Sequence, residues 1–361
     1  MEIDVIGIFL PPVPVLAERE QAHTDTAPLK TAEDAAVRDI VERQLLAGLK
    51  TVTSGGIRWR HWDKDFFFGL SGIEKERIDS GHVFHNDDVL TDLMRFKGRI
   101  AFNPHHPFFD DFRFLAATTA DRAVCRQIIP SPAELYVDIM ISTDGHPETL
   151  YPASEHLIDD ISEAYRQTIL RFYELGCRSL ILDDTVCGRL CETNFTKRLL
   201  QGGIDIVSLH ESIIELFNRS LAGVPSGMEA ALYLTGGDTI VPEWRYVNFP
   251  DNIMHKLLPG VHVDRFYLPF NIDDEHIADV LRHIPHGKKV VLGLSDAHSP
   301  WPDDEDAIQE IASTASRIIP GCRLAISPRT GFMLSSYASR GLSYEDQWRK
   351  IDTLAELART I

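Results

Sequence analysis

Two adjacent carboxylates, Asp183 and Asp184, close the short apolar run Ser179-Leu180-Ile181-Leu182. Helical spacing over 159–175 precedes it, so the run reads as a buried parallel strand fed by a helix. Acids at the C-terminal end of such a strand face the mouth of a barrel or the crevice of an open sheet, where ligands bind. There they hold a cation or exchange a proton. The plainer alternative is that Asp184 caps the next helix and Asp183 is solvated. A second acid, Asp296, precedes His298 by two residues in Ser295-Asp296-Ala297-His298-Ser299-Pro300, directly after the apolar run 290–294. A histidine changes charge near neutral pH, which makes a strand-end imidazole a candidate general acid or base. Burial of the two as a structural pair is the competing reading.

Other strand-like runs end in residues that suit a binding rim. The strand expected over 50–53 ends in Ser54-Gly55-Gly56, and glycine permits close approach of a ligand or a tight turn. After it come Arg58, His61 and Trp62, with Trp59 and Trp62 available to wall a pocket. The run 230–234 carries Tyr233 and ends in Thr235-Gly236-Gly237-Asp238, and the run 323–326 ends in Ser327-Pro328-Arg329-Thr330-Gly331. A metal site from His105, His106 and Asp110 is conceivable, but adjacent histidines do not readily bind one ion through both rings, so a loop covering the mouth is preferred. His210 beside Glu211 falls on a helical pattern and reads as surface. Cys187 and Cys191, one helical turn apart, read as packing residues rather than as metal ligands with Asp183.

These residues need a scaffold that brings many strand ends to one side. Strands are expected over 4–10, 50–53, 127–129, around Asp183, and over 230–234, 264–268, 290–294 and 323–326. Helical patterns alternate with most of them, among them one over 31–49; the polar stretch 18–34 reads largely as loop, and prolines 11, 12 and 14 stop the first strand. Alternation over 81–103 suggests a β-hairpin. The expectation is α/β: one (β/α)8 TIM barrel spanning 1–361, with a hairpin insertion at about 75–115 and no second domain. At 361 residues and 44% hydrophobic content the chain can bury such a core.

Composition excludes several functions. A formal charge of −18 with no basic stripe argues against nucleic-acid binding. No apolar run is long enough to span a bilayer, and the first residues lack the basic region of a signal peptide. Five cysteines, an odd number without paired metal spacing, suit a reducing compartment. The expected setting is cytoplasmic, with a small-molecule substrate as partner; a monomer and a homodimer both stay open.

Taken together, the motifs resemble the catalytic barrel of cobalamin-independent methionine synthase and its shorter single-barrel relatives, over nearly the whole chain. Ile6-Gly7-Ile8-Phe9 stands where that family has Gly-Ser-Phe. Thr53-Ser54-Gly55-Gly56-Ile57-Arg58 with Asp65-Phe66-Phe67 resembles the Asp-Gly-Glu-Phe-Arg segment of the short relatives. Leu182-Asp183-Asp184-Thr185 resembles their Ile-Asp-Asp-Thr, Asp296-Ala297-His298-Ser299-Pro300 their Asp-Ile-His-Ser-Pro, and Ser327-Pro328-Arg329-Thr330-Gly331 their Asn/Ser-Pro-x-Cys-Gly.

The departures carry more than the matches. The resemblance implies a zinc ion held by His-x-Cys, a Glu and a late Cys, which activates the homocysteine thiol. Those positions read Tyr233, Thr235, Pro269 and Thr330, so the zinc of the family is expected to be absent and no cofactor takes its place. The family's first-strand serine is Ile8, and the glutamate that helps hold the homocysteine amino group is Gly56. Its other amino-group partner remains as Asp183, and its general acid as His298. The expected enzyme therefore uses metal-independent acid/base chemistry, of lyase, isomerase, decarboxylase or hydrolase type, on a small polar and amine-bearing substrate. His298, Asp296 and Asp183 are its catalytic candidates; Asp184, Tyr233, Thr235, Gly56, Arg58, His61, Trp62 and Thr330 are its binding candidates. Alkyl transfer with a zinc-independent nucleophile, and a non-catalytic binding barrel, are the alternatives.

Overall fold

The computed structural model describes residues 1–21, 26–78, 91–151, 153–235, 253–272, 276–333 and 341–361. Among these residues there are ten strands: β1 (Glu2–Ile3), β2 (Thr51–Val52), β3 (Ser71–Ile78), β4 (Thr91–Ala101), β5 (Val124–Pro130), β6 (Ser179–Asp184), β7 (Glu229–Leu234), β8 (Arg265–Pro269), β9 (Lys289–Ser295) and β10 (Leu324–Pro328). Eight form one parallel sheet in the order β1-β10-β9-β8-β7-β6-β5-β2, while β3 and β4 pair antiparallel as a separate hairpin. Apart from the hairpin, neighbours in the sheet follow chain order, which is the winding of a (β/α)8 barrel. The two edge strands have only two residues each, and the seam between them is bridged differently. Phe9 N–H donates to Gly55 O at 2.9 Å, and the Lys50 ammonium pairs with Glu2.

Helices cover the outside because their starts are specified locally. Ser131 caps Pro132–Ser142, with Pro132 in the first turn where no N–H is needed. Asp205 caps Ile206–Ser220, Asp304 caps Glu305–Ser316, and Ser343 with Asp346 forms a capping box for Tyr344–Thr360. In Ala27–Leu46 the buried Ala36, Val37, Ile40, Val41 and Gln44 fall on one helical face.

The sequence expectation differs from the structure near the N-terminus. Residues 4–10 are not a strand: only Glu2–Ile3 pair with β10, and Asp4 N–H adds one bond to Ile326 O at 2.9 Å. The stretch expected as loop, 18–34, holds the end of the helix Val13–Gln21 and the start of Ala27–Leu46. Pro14 and Pro28 each occupy a first turn, so prolines that looked like breakers open helices instead. The hairpin's first strand lies at Ser71–Ile78, earlier than its alternation suggested; residues 81–90 fall outside the described residues.

The barrel interior is polar towards the N-terminal end of the strands. Arg126 on β5 is buried and pairs with Asp4, donating from Nη2 to Oδ2 at 3.0 Å, and its Nε donates to Ser179 Oγ at 3.0 Å. Arg265 Nη1 and the Tyr267 hydroxyl on β8 each reach Asp4 Oδ2 at 2.8 Å. Burial alone would raise the Asp4 pKa, but Arg126, with Arg265 and Tyr267, holds it below its ordinary value. This charged plug closes the barrel beneath the rim.

Candidate active site at the C-terminal rim

Strand register fixes which residues share the rim. Asp183 on β6 is level with Tyr233 on β7, which is level with Tyr267 on β8. Pro269 is level with Gly293, and Pro328 with Ser295. Because the strands are parallel, Asp183, Tyr233, Thr235, Pro269, His298 and Thr330 all leave the same end of the barrel, together with Gly7 and Gly56 from the first two loops.

The two aspartates have separate fates. Asp184 is fully buried; its Oδ2 accepts from Ser131 Oγ at 2.5 Å and its Oδ1 from Cys187 N–H at 2.7 Å. Its carboxylate thus ties the end of β5 to the turn after β6, much as the capping alternative requires. Glu134 sits beside it, accepting from the Thr185 and Val186 amides, and burial followed by the Asp184 charge raises its pKa strongly. The half-buried Asp183 carboxyl has no hydrogen-bond partner among the described residues. Burial, then Asp184 and Asp63, push its pKa up to about 8. Asp63 also helps raise Asp138 to about 6, after the larger effect of burial. Asp63 and Asp138 were not foreseen as site residues. The signal for Asp138 was one carboxylate inside the apolar run Leu135-Tyr136-Val137-Asp138-Ile139-Met140-Ile141.

At the other side of the rim Asp296 holds the backbone of His298 rather than its ring. Asp296 Oδ1 accepts from His298 N–H at 2.9 Å, while its Oδ2 lies 3.6 Å from Arg329 Nη2. Asp303 fixes this turn from below, accepting from Ser295 Oγ at 2.5 Å and from Asp296 N–H at 2.9 Å. The His298 ring meets Thr330 instead: Nε2 and Oγ1 are 3.3 Å apart. Arg329, another residue not singled out, donates from Nη1 to Asn271 at 2.8 Å and lends its carbonyl to the Tyr233 hydroxyl at 3.0 Å.

Several expected binding residues serve other contacts. Arg58 pairs with Asp34 at 2.7 Å and Asp111 at 3.1 Å and lies 4.8 Å over Phe114, which commits it between two outer helices. Trp59 is core, stacked on Phe108 at 5.1 Å, and does not wall an open pocket. His61 and Trp62 are half-buried on the same loop, where His61 N–H donates to Asp65 at 3.1 Å. Gly56 has a φ of +63°, and a Cβ there would lie 2.9 Å from Trp59 Cε3, so the indole fills the space a side chain would need. Thr235 is buried, its N–H donating to Asp184 O at 2.9 Å; Gly236, Gly237 and Asp238 lie outside the described residues.

Among the described residues the histidine pair after the hairpin belongs to no metal-ligand cluster. His106 Nδ1 accepts from Phe108 N–H and its Nε2 donates to Phe66 O at 2.9 Å, so both ring nitrogens are used. His105 is exposed, and Asp110 pairs with Arg113. Among the described residues no group of three or more His, Cys, Asp or Glu could hold a metal ion. His210, expected at the surface, is buried. Cys187 and Cys191 are both buried, as packing residues are.

No family model matches the chain. YxjH of Bacillus subtilis, an uncharacterized protein, is 26% identical over 362 residues, covering 99% of this chain and 94% of that protein. A candidate vitamin-B12-independent methionine synthase from Listeria monocytogenes superposes with a TM-score of 0.75 at 27% identity, over 100% of this chain and 97% of that one. Over its whole length the chain is thus similar to a single-barrel protein of the cobalamin-independent methionine synthase type. A B12-independent methionine synthase from Shewanella sp. W3-18-1, in complex with selenomethionine, shares the fold at a TM-score of 0.70 and 16% identity, over 99% and 97% of the two chains.

The zinc that this family implies is not matched by the donors present. Tyr233 keeps its proton, because burial and then the Asp183 carboxyl raise its pKa well above the ordinary phenol value, and the hydroxyl is spent on Arg329 O. The Thr330 hydroxyl donates to Gly331 O at 2.8 Å. Pro269 offers no side-chain donor atom, and a neutral threonine at Thr235 is a poor one. A thiolate-activating zinc needs soft or imidazole ligands, which these four positions do not supply.

Proposed function

We propose that this barrel is an enzyme that moves protons on a small polar substrate bearing an amine, without a metal. The observation that carries the reading is the shared rim: His298 and Asp183 stand at its two sides, while Tyr, Thr, Pro and Thr occupy the positions where thiol activation would require ligands. His298 is the acid/base group, since an imidazole gains or loses a proton near neutral pH at little cost. Asp183 is the ammonium partner. A substrate cation beside it favours the ionised carboxylate and so offsets the desolvation that keeps it protonated in the empty site. Asp63 adds negative charge to the same region. Lyase and isomerase chemistry at a carbon acid begins with such a transfer, whereas a decarboxylase would use the same group to protonate the carbanion left after CO2 departs and a hydrolase would use it to activate water.

The second reading is alkyl transfer by a nucleophile that needs no zinc. The likeness to the Listeria protein favours it, since that protein is named a candidate methionine synthase. Deuterium exchange separates the two. Small primary amines and amino acids are incubated with the protein in D2O and followed by proton NMR. Proton-transfer chemistry predicts exchange at carbon, lowered roughly 10²–10⁴-fold in a folded His298→Asn variant. Asp183→Asn raises KM more than it lowers kcat. Full exchange in His298→Asn would remove the histidine from the reaction, and methyl transfer from a donor without any exchange would favour the second reading.

A further inference from the structure

We infer that Lys350 is a positioning residue for His298, a role that rests on the acid/base reading above: from the helix Tyr344–Thr360 it holds, through Asp303, the turn that carries the histidine. Lys350 is far from that turn in sequence, yet the contacts form one chain. It is 6% exposed, and its ammonium donates to Trp301 O at 2.9 Å and to Asp303 Oδ2 at 3.2 Å. The same Asp303 oxygen accepts from Ser295 Oγ, and Oδ1 accepts from Asp296 N–H at 2.9 Å. Asp296 in turn accepts from His298 N–H at 2.9 Å.

Charge and geometry divide the work between neighbours. Asp304 caps the helix Glu305–Ser316, accepting from Ala307 N–H at 3.0 Å. Asp303 is therefore not needed at the helix start and faces back to the end of β9 instead. Its side chain is only 11% exposed, and burying a charge without a counter-charge is costly; Lys350 supplies the counter-charge. The ammonium also grips the turn at Trp301 O, between Pro300 and Pro302, whose rings restrict the backbone on either side. The support is itself anchored. Gln347, three residues earlier on the same helix, accepts from Leu10 N–H at 2.8 Å and donates to Leu10 O at 3.3 Å. One helix thus fixes both the first loop and the His298 turn.

Amide hydrogen exchange on the full-length protein tests this without a substrate. Lys350→Met keeps an apolar stem and removes the ammonium. The amides of Asp296 and His298 should then lose protection roughly 10- to 100-fold, as broken hydrogen bonds do, while amides within β6 and β7 change less. Because Lys350→Met leaves Asp303 without its counter-charge, the double variant Lys350→Met, Asp303→Asn, which buries no lone charge, is measured beside it. One amide oxygen cannot stand in for both carboxylate oxygens at Ser295 and Asp296, so the same local loss is expected. Unchanged protection of both amides in either folded variant overturns the inference, as does an equal loss across β6 and β7, which general destabilisation would give. The second readout is kinetic. In the deuterium-exchange assay Lys350→Met should lower kcat and leave KM unchanged, and a rise in KM alone would likewise overturn the positioning role. Full exchange in His298→Asn would sink only the acid/base reading, since loosened amides in Lys350→Met would still tie Lys350 to the His298 turn.

Discussion

Asp183 and Tyr233 face each other across the β6–β7 ladder, and the phenol hydroxyl turns away from the carboxyl to bond Arg329 O at 3.0 Å. The aspartate is thereby left beside a buried ring and two further acids, with no donor to its carboxyl among the described residues. The consequence is a pKa of about 8, produced by burial first and by Asp184 and Asp63 after it.

That shift predicts a pH dependence of stability. The folded pKa lies above the unfolded value of roughly 3.9 for aspartate, so between about pH 4 and pH 8 the folded state binds the extra proton. Stability from this group is present at low pH and is lost as pH rises through about 8. Asp183→Asn should remove that slope and be more stable than wild type at alkaline pH. Urea midpoints across the range measure it, and parallel curves for the two proteins would contradict the environment described.

Asp4 gives the opposite sign. Its folded pKa is depressed by Arg126, Arg265 and Tyr267 against the burial that would raise it, so its contribution is present above the unfolded value and lost in strong acid. Asp4→Ala leaves Arg126 buried without its carboxylate. Breaking a buried pair in this way costs about 3–5 kcal/mol, because an uncompensated charge remains. The expected outcome is poor expression or a large fall in the urea midpoint, whereas rim ligand binding in any folded fraction should persist. A loss below about 1 kcal/mol would mean the plug contributes little.

How legible these features were in sequence follows from how local they are. The strand ends of β5 to β10 could be read because each apolar run stops at a polar, glycine or proline residue, and the rim residues came with them. The N-terminal segment misled because a proline stops a strand but also opens a helix, and only the neighbouring register decides between these. The Asp4–Arg126–Arg265 plug was illegible: its members are far apart in sequence, and a charged residue inside a strand reads as exposed until the barrel closes around it. Asp184 was ambiguous for a related reason, since a strand-end aspartate and a cap look alike until Ser131 and Cys187 are seen on its two oxygens. The ion pairs of Arg58 were illegible because its partners, Asp34 and Asp111, lie on helices that sequence spacing does not bring together.

His106 shows the same dependence on long-range context, and it also titrates. Burial pushes its pKa down to about 4, outweighing the bond to Phe66 O. For a base depressed in the folded state, the unfolded chain binds more protons between about pH 6.5 and pH 4, so stability falls as pH drops through that window. His106→Asn keeps a capping acceptor for Phe108 N–H but loses the bond to Phe66 O. It should cost about 1–3 kcal/mol at neutral pH and flatten the acid limb. An unaltered acid limb in this variant would assign the transition to other groups.

The last prediction concerns the reaction that the family resemblance would suggest first. Methylating homocysteine requires its thiol to become a thiolate, and zinc achieves this by lowering the thiol pKa while fixing the sulfur in place. Here the Tyr233 hydroxyl stays protonated and bonded to Arg329 O, the Thr330 hydroxyl is directed at Gly331 O, and Pro269 has nothing to offer. The Gly56 position has no room for a second carboxylate against Trp59, so one of the two partners expected for the homocysteine amino group is missing too. Both activation and recognition of that substrate are therefore weakened at once. Purified protein should fail to form methionine from homocysteine and a methyltetrahydrofolate, with or without added zinc. Turnover that a chelator abolishes and zinc restores would show that other residues assemble the metal site, and would return the protein to thiol chemistry.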